Sequence, residues 1–153
     1  MAFFQRKRKP KSFYKQSGVI PMRIKDGELE ILLITSRKRL RWVIPKGIVE
    51  PNMTPRESAE KEAFEEAGLE GIVSDISIGR YQYYKWGGVC DVEVFLMLAK
   101  RMYDDFPEFG LRNRQWLPFE EAAELIEEQD LRNLVKSLPL ILDKKGQHGM
   151  PQE

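Results

Sequence analysis

Two kinds of hydrophobic spacing alternate along the chain. Apolar side chains come every second position or in short runs over 19–24 and 29–35, which predicts two strands. Between them stands Asp26-Gly27, a dipeptide suited to a two-residue hairpin turn whose central positions take positive φ. Residues 41–45 predict a short third strand ending at Pro45. Residues 72–84 predict one extended segment, with Ile72, Ser74, Ile76 and Ile78 on alternate sites. Residues 89–99 are the most apolar stretch: Val92, Val94, Leu96 and Leu98 alternate with Glu93, Phe95 and Met97, as in a central strand covered on both faces. Gly87-Gly88 supplies the turn before it, and 112–117 predicts a last short strand.

Helical spacing takes over in three places. Thr54-Pro55-Arg56-Glu57 is a capping box with proline at the first helical position, and Gly68 is a natural stop. Within that helix Ala59, Ala63 and Ala67 share one face, with Phe64 beside it. Pro118 opens a second helix over 119–129, with Ala122, Ala123, Leu125 and Ile126 inward. A third starts near Leu131 and bends or ends near Pro139. Strands and helices in this order predict an α/β fold with a mixed sheet packed between helices.

Length and composition set the frame. The 153 residues suffice for one domain with a real core, and 42% hydrophobic with 32% charged residues is ordinary for a soluble globular protein. The expected organisation is a basic flexible arm over 1–16, a single domain over 17–142 and a flexible tail over 143–153 that contains His148. A net charge of +1 gives no global field for nucleic acid. Charge is unevenly spread, however: Arg6, Lys7, Arg8, Lys9, Lys11 and Lys15 stand without an acid among them, which keeps RNA open as a partner without favouring it. One cysteine, Cys90, excludes an internal disulfide and reads as a small hydrophobe on a buried strand. No apolar run is long enough to span a membrane, and the first four residues are too short for a signal-peptide core. The expectation is a cytoplasmic protein without a membrane partner; the pattern fixes no oligomeric state.

The chemistry is concentrated on the first helix. Glu62, Glu65 and Glu66 fall within an arc of about 100° on one face. Like charges so close weaken a helix; a solvated acidic face is the bland reading, and holding a hard divalent cation is the use that the well-marked loop and helix around them favour. Mg²⁺ prefers such oxygen ligands, with Mn²⁺ as the alternative. Ahead of that helix come five cations, Arg37, Lys38, Arg39, Arg41 and Lys46, suited to a substrate rich in phosphate. Tyr81, Tyr83, Tyr84 and Trp86 have the chemistry to stack a base, although packing on a sheet face is the simpler reading; Trp42 and Trp116 read as core.

At these residues the chain resembles the Nudix hydrolase family, whose pattern is G-x5-E-x7-R-E-U-x-E-E-x-G-U, with U apolar. Gly47, Glu62, Ala63, Glu65, Glu66, Gly68 and Leu69 match in register, while Met53 and Lys61 stand where the family has a glutamate and an arginine commonly tied by an ion pair. Met53 packing and Lys61 reaching Glu57 or Glu65 are the expected substitutes. The resemblance implies a Nudix-type α/β/α sandwich that cleaves a phosphoanhydride by water attack with divalent metal. Glu62 and Glu66 would be the main metal ligands and Glu65 a ligand or the base. Asp104, Asp105, Glu108 and Glu93 are candidates for a further acid.

The runs at 41–51 and 112–122 are similar to the diadenosine polyphosphate and diphosphoinositol polyphosphate phosphohydrolase branch. That implies a highly phosphorylated small molecule gripped at Arg37, Arg39, Arg41, Lys46, Gly47, Arg112 and Arg114. The alternatives are another nucleoside diphosphate-X substrate, an RNA 5′ end, or a catalytically silent binding module.

Overall fold

The structure is a computed structural model and describes residues 12–38 and 41–145. In chain order its elements are β1 (Phe13–Lys25), β2 (Glu28–Thr35), β3 (Trp42–Val43), β4 (Lys46–Ile48), α1 (Pro55–Ala67), β5 (Leu69–Val73), β6 (Gly79–Lys85), β7 (Gly88–Met102), β8 (Arg114–Pro118), α2 (Phe119–Leu125), α3 (Gln129–Lys136) and α4 (Leu138–Lys145). The strands form one mixed sheet with the spine β3-β2-β1-β7-β5; β4 adds to β1, β6 to β7 and β8 to β2. Only the long central pair β1 and β7 runs parallel among these, from Phe13 opposite Val89 to Met22 opposite Leu98.

Strand alternation builds two cores, one on each face. Val19, Leu32, Ile34, Phe95 and Met97 face α1 and meet its Ala59, Ala63 and Ala67. Ile20, Ile31, Leu33, Val94 and Leu96 face the other way, against Ala122, Ala123, Ile126, Leu131, Val135 and Leu138 of the C-terminal helical region. Alanine on α1 lets the helix backbone lie close to the sheet, which sets the height of its carboxylate face. The expected α/β/α sandwich and the doubly covered β7 are both found. Trp42 and Trp116 pack partly buried against these cores, and Tyr81 is buried. Cys90 is fully buried.

Several boundaries differ from the sequence expectation. β1 begins at Phe13, so residues 13–16 of the expected arm are sheet, and α4 continues to Lys145, past the expected domain edge. Residues 1–11, Arg39 and His148 lie outside the described residues. The single segment expected over 72–84 is two strands, β5 and β6. Ser74 separates them: its hydroxyl accepts from Leu96 N–H (3.1 Å) and donates to Ile76 O (2.9 Å), while the Arg56 guanidinium holds the carbonyls of Val73 and Ser74. α2 stops at Leu125 because Ile126 turns extended (φ −83°, ψ 129°), its carbonyl held by the Arg132 fork at 2.8 and 3.0 Å. Leu125, expected inward, is exposed; Ile126 takes the core position. The turn before β7 is centred on Trp86 (φ 55°) and Gly87 (φ 69°), not on Gly87-Gly88, whereas the expected Asp26-Gly27 turn is present with φ 52° and 80°.

Candidate active site

α1 is fixed at both ends. Thr54 Oγ1 accepts from Glu57 N–H (3.1 Å) and Glu57 Oε1 accepts from Thr54 N–H (2.9 Å), with Pro55 following. Gly68 ends the helix in left-handed conformation (φ 68°), and its N–H bonds Phe64 O at 2.9 Å. Buried Ser58 ties the preceding loop to the helix. Its hydroxyl accepts from Glu50 N–H (3.0 Å) and contacts Met53 Sδ (3.8 Å), so Met53 packs where the family pattern has a glutamate.

The three glutamates project from one side of α1 and meet three different surroundings. Glu62 lies over Gly47, where a Cβ would come within 2.4 Å of its Cδ; only glycine lets the carboxyl sit there. That carboxyl has neither hydrogen bond nor ion pair among the described residues. Burial pushes its pKa up to about 8, with repulsion from Glu66 and Glu65 adding to the shift. Glu66 accepts from Lys46 N–H (3.1 Å) and stands 3.4 Å from the Arg112 guanidinium. Burial raises its pKa too, opposed by Arg112 and Lys46. Glu65 is paired with Lys61 (2.8 Å), whose ammonium also holds Glu50 at 2.7 Å. Of the two acids expected for Lys61, Glu65 is used and Glu57 is spent on the cap. Glu50 is the partner that sequence did not single out. Together Glu50 and Lys61 rebuild the ion pair that Met53 removes.

Among the described residues no three acidic, histidine or cysteine side chains already close around one point as a cation cage. The donor set nonetheless fits a hard divalent ion. It is all oxygen, it carries one half-buried carboxyl with no direct ion pair, and Glu62 and Glu66 both have raised pKa values that a cation would relieve.

Beside the carboxylates opens a cleft of about 560 Å³, lined by Arg37, Arg41, Lys46, Gly47, Glu66, Glu108 and Arg112 together with Tyr83 and the β6–β7 turn. The Lys46 ammonium lies 5.0 Å from the Tyr83 ring centroid, and burial brings its pKa down to about 8. Tyr83 donates from its hydroxyl to Gln16 Oε1 (2.8 Å). Arg112 is nearly buried, bonded through Nε to Glu108 (3.1 Å) and through Nη1 to Thr35 O (3.2 Å). Arg41 pairs with Glu128 (2.8 Å) and Arg37 lies exposed, 3.9 Å from Glu108.

The remaining expected residues fall elsewhere. Arg114 turns away from the cleft: it caps α1 through Ala67 O (2.7 Å) and covers the Phe106 ring at 4.7 Å. Of the further acids, Glu108 reaches the site. Asp104 is solvent-exposed near Arg114, Asp105 is exposed, and Glu93 pairs with Arg80. Two backbone bonds hang the 103–111 loop on the end of α1, Tyr103 N–H to Gly68 O (2.8 Å) and Glu108 N–H to Glu65 O (3.0 Å).

Comparison with known proteins finds relatives over most of the chain. The NUDIX domain model matches residues 15–138. Nudix hydrolase 12, mitochondrial, of Arabidopsis thaliana is 31% identical over 141 residues, covering 78% of this chain and 70% of the relative. Diphosphoinositol polyphosphate phosphohydrolase 3-beta of Bos taurus is 26% identical over 121 residues, covering 77% of this chain and 72% of the relative. Among solved structures, the C. elegans Ap4A hydrolase binary complex superposes with a TM-score of 0.71 at 23% identity, covering 86% of this chain and 98% of that one, a likeness of fold. The matched span takes in the carboxylate helix, its entry loop and both cores, and the chain belongs to the Nudix hydrolase family.

Proposed function

We propose that this chain hydrolyses a phosphoanhydride bond in a highly phosphorylated small molecule of the diadenosine polyphosphate or diphosphoinositol polyphosphate type. In this reading Glu62 and Glu66 are the main ligands of Mg²⁺, or of Mn²⁺ in its place. The carrying observation is that one cleft unites Glu66 of the carboxylate helix with Lys46, Arg112, Arg41 and Arg37. A phosphoanhydride repels nucleophiles by its own charge; bound divalent metal offsets that charge and lowers the pKa of water. The protein groups do the rest. Lys46 and Arg112, partly buried and pre-oriented, take phosphate oxygens. Gly47 leaves room for Glu62 beside them. A glutamate not engaged as a ligand, Glu65 in our reading, accepts the proton of the attacking water. Oxygen from water joins one phosphorus, the bridging P–O bond breaks, and both products leave as phosphates. The activities that the bovine relative and the C. elegans neighbour are named for support this substrate type.

We place the protein in the cytoplasm on the strength of its single buried cysteine; plant relatives carry mitochondrial or chloroplastic in their names, so fractionation of cells is the direct check. Among the described residues no helix is long and apolar enough to cross a membrane.

A panel assay of phosphate and product release tests the reading. It spans diadenosine tetra-, penta- and hexaphosphate, diphosphoinositol polyphosphates, ADP-ribose and 5′-triphosphate RNA, with Mg²⁺ or Mn²⁺. Turnover should require metal, vanish with EDTA, and fall at least about 100-fold in Glu62→Gln and Glu66→Gln variants that still fold. A preference for RNA or ADP-ribose would replace the substrate class. A second reading, a silent binding module, draws on Glu65 being neutralised by Lys61; polyphosphate binding without turnover of anything in the panel would favour it.

A further inference from the structure

One cation of the cleft is held from behind. Arg41 lines the cleft, whereas Glu128, which bonds it, does not. Glu128 belongs to the short connection between α2 and α3, 87 positions along the chain from Arg41. It occupies the N-cap of α3, where a short polar side chain ordinarily accepts from the first turn of the helix. Glu128 makes no such bond. Its side chain is nearly buried, at 12% exposure, and turns to Arg41 instead, with Oε2 accepting from Nη1 at 2.8 Å. Burial of a carboxylate is unfavourable unless a partner offsets it. A carboxylate withheld from its own helix and buried on a cleft arginine points to a use outside folding.

Both partners are fixed. Arg41 N–H donates to Ser36 Oγ (3.3 Å), and Arg41 O accepts from Ser36 N–H (2.8 Å). On the other side Ile126 is fully buried with its carbonyl held by the Arg132 fork, and Glu128 O accepts from Arg132 N–H (2.9 Å). A guanidinium carries five N–H donors in one plane. The bond to Glu128 uses Nη1, and the exposed Glu127 approaches the same nitrogen at 3.8 Å. Among the described residues Nε and Nη2 have no partner. Those two nitrogens form the edge that can take two oxygens of one phosphate at once. The pair also lies close to the rest of the grip: Glu128 favours the charge on the Lys46 ammonium and Arg41 opposes it.

We propose that Glu128 is a positioning residue for substrate phosphate: by holding Nη1 of Arg41 it aims the free Nε–Nη2 edge into the cleft as a bidentate clamp. This rests on the phosphoanhydride reading above and adds to it a residue of the C-terminal helical layer that acts only through Arg41.

The two effects of this carboxylate have opposite signs. Its charge repels phosphate, so removing it should tighten binding; its bond orders the guanidinium, so removing it should weaken binding. Calorimetry with inorganic tetraphosphate on the full chain, without added metal, separates them. Glu128→Ser gives α3 a capping hydroxyl too short to reach Arg41; Tm should be kept while affinity falls about tenfold. Glu128→Gln keeps an acceptor for Nη1 without the charge and should bind at least as tightly as wild type. Arg41→Lys, which keeps the charge but has no second edge, should lose affinity with α3 untouched. Arg41→Ala should lose at least as much as Glu128→Ser, and combining the two should cost nothing further. In the panel assay Glu128→Ser should raise KM by more than it lowers kcat. Unchanged or tighter binding in Glu128→Ser or in Arg41→Lys overturns this proposal alone. So does an equal loss in Glu128→Gln and Glu128→Ser, or a wild type that turns over the panel without binding tetraphosphate. No binding together with no turnover overturns the phosphoanhydride reading and this proposal with it.

Discussion

At the residue scale the site depends on Gly47 as much as on the glutamates. Gly47→Ala would place a methyl within 2.4 Å of Glu62 Cδ. The obstructing atoms are the end of a flexible side chain, so the fold survives and Glu62 swings away. The expected outcome is a loss of little Tm but about tenfold or more in metal affinity and turnover, read by calorimetry and steady-state kinetics. Titration offers a second check on the metal-free protein. Glu62 has its pKa raised from 4.5 to about 8, so between these values the folded state binds more protons than the unfolded one, and its contribution falls as pH rises. Lys46 is lowered from 10.5 to about 8; there the unfolded state binds more protons, and stability rises with pH above 8. Glu62→Gln should therefore flatten the Tm–pH profile between about pH 4.5 and 8 while leaving the alkaline limb. The three glutamates were legible in sequence because helical spacing fixes their direction. What each meets was not: Lys46 and Arg112 reach Glu66 across 20 and 46 positions.

At the element scale α1 and its entry loop act together through Lys61, which spans Glu50 and Glu65. Lys61→Met leaves those acids without a shared cation. The variant should lose some Tm at low ionic strength and little at about 1 M salt, whereas Lys61→Arg stays near wild type; thermal melts at two salt concentrations decide. Most elements were legible from local pattern. The capping box marks the start of α1, Asp26-Gly27 marks its hairpin, and the alternation of β7 gives a strand buried on both sides. Two of the misses depend on side-chain bonds that apolar spacing does not show. Ser74 breaks the 72–84 segment by bonding Leu96 N–H across the sheet and Ile76 O locally, Arg56 of α1 holds the carbonyls at the break, and Arg132, six positions on, holds Ile126 out of α2. The first break carries a turn signal, Ser74-Asp75 with Ser77 and Gly79, which the apolar alternation over 72–78 masked.

For the whole molecule, the parallel pair β1–β7 is the mid-line on which both cores close. Leu96→Ala, at a fully buried site, should cost about 2–5 kcal/mol in urea unfolding, with little change in the substrate preference of the protein that remains folded. Divalent metal should stabilise the entire fold, by about 2.7 kcal/mol at one hundred times its dissociation constant, and EDTA should reverse that rise in Tm. The loop carrying Glu108 and Arg112 hangs from the last turn of the carboxylate helix by two backbone bonds, and a Cβ on Gly68 would strike Phe106 and Arg114. The β6–β7 tip is open instead: a Cβ on Gly87 would meet nothing within 4 Å. Insertions should be tolerated at the tip and refused in the loop. One wall of the cleft is thus locked to the carboxylate helix, while the hairpin tip on its border can lengthen without disturbing it.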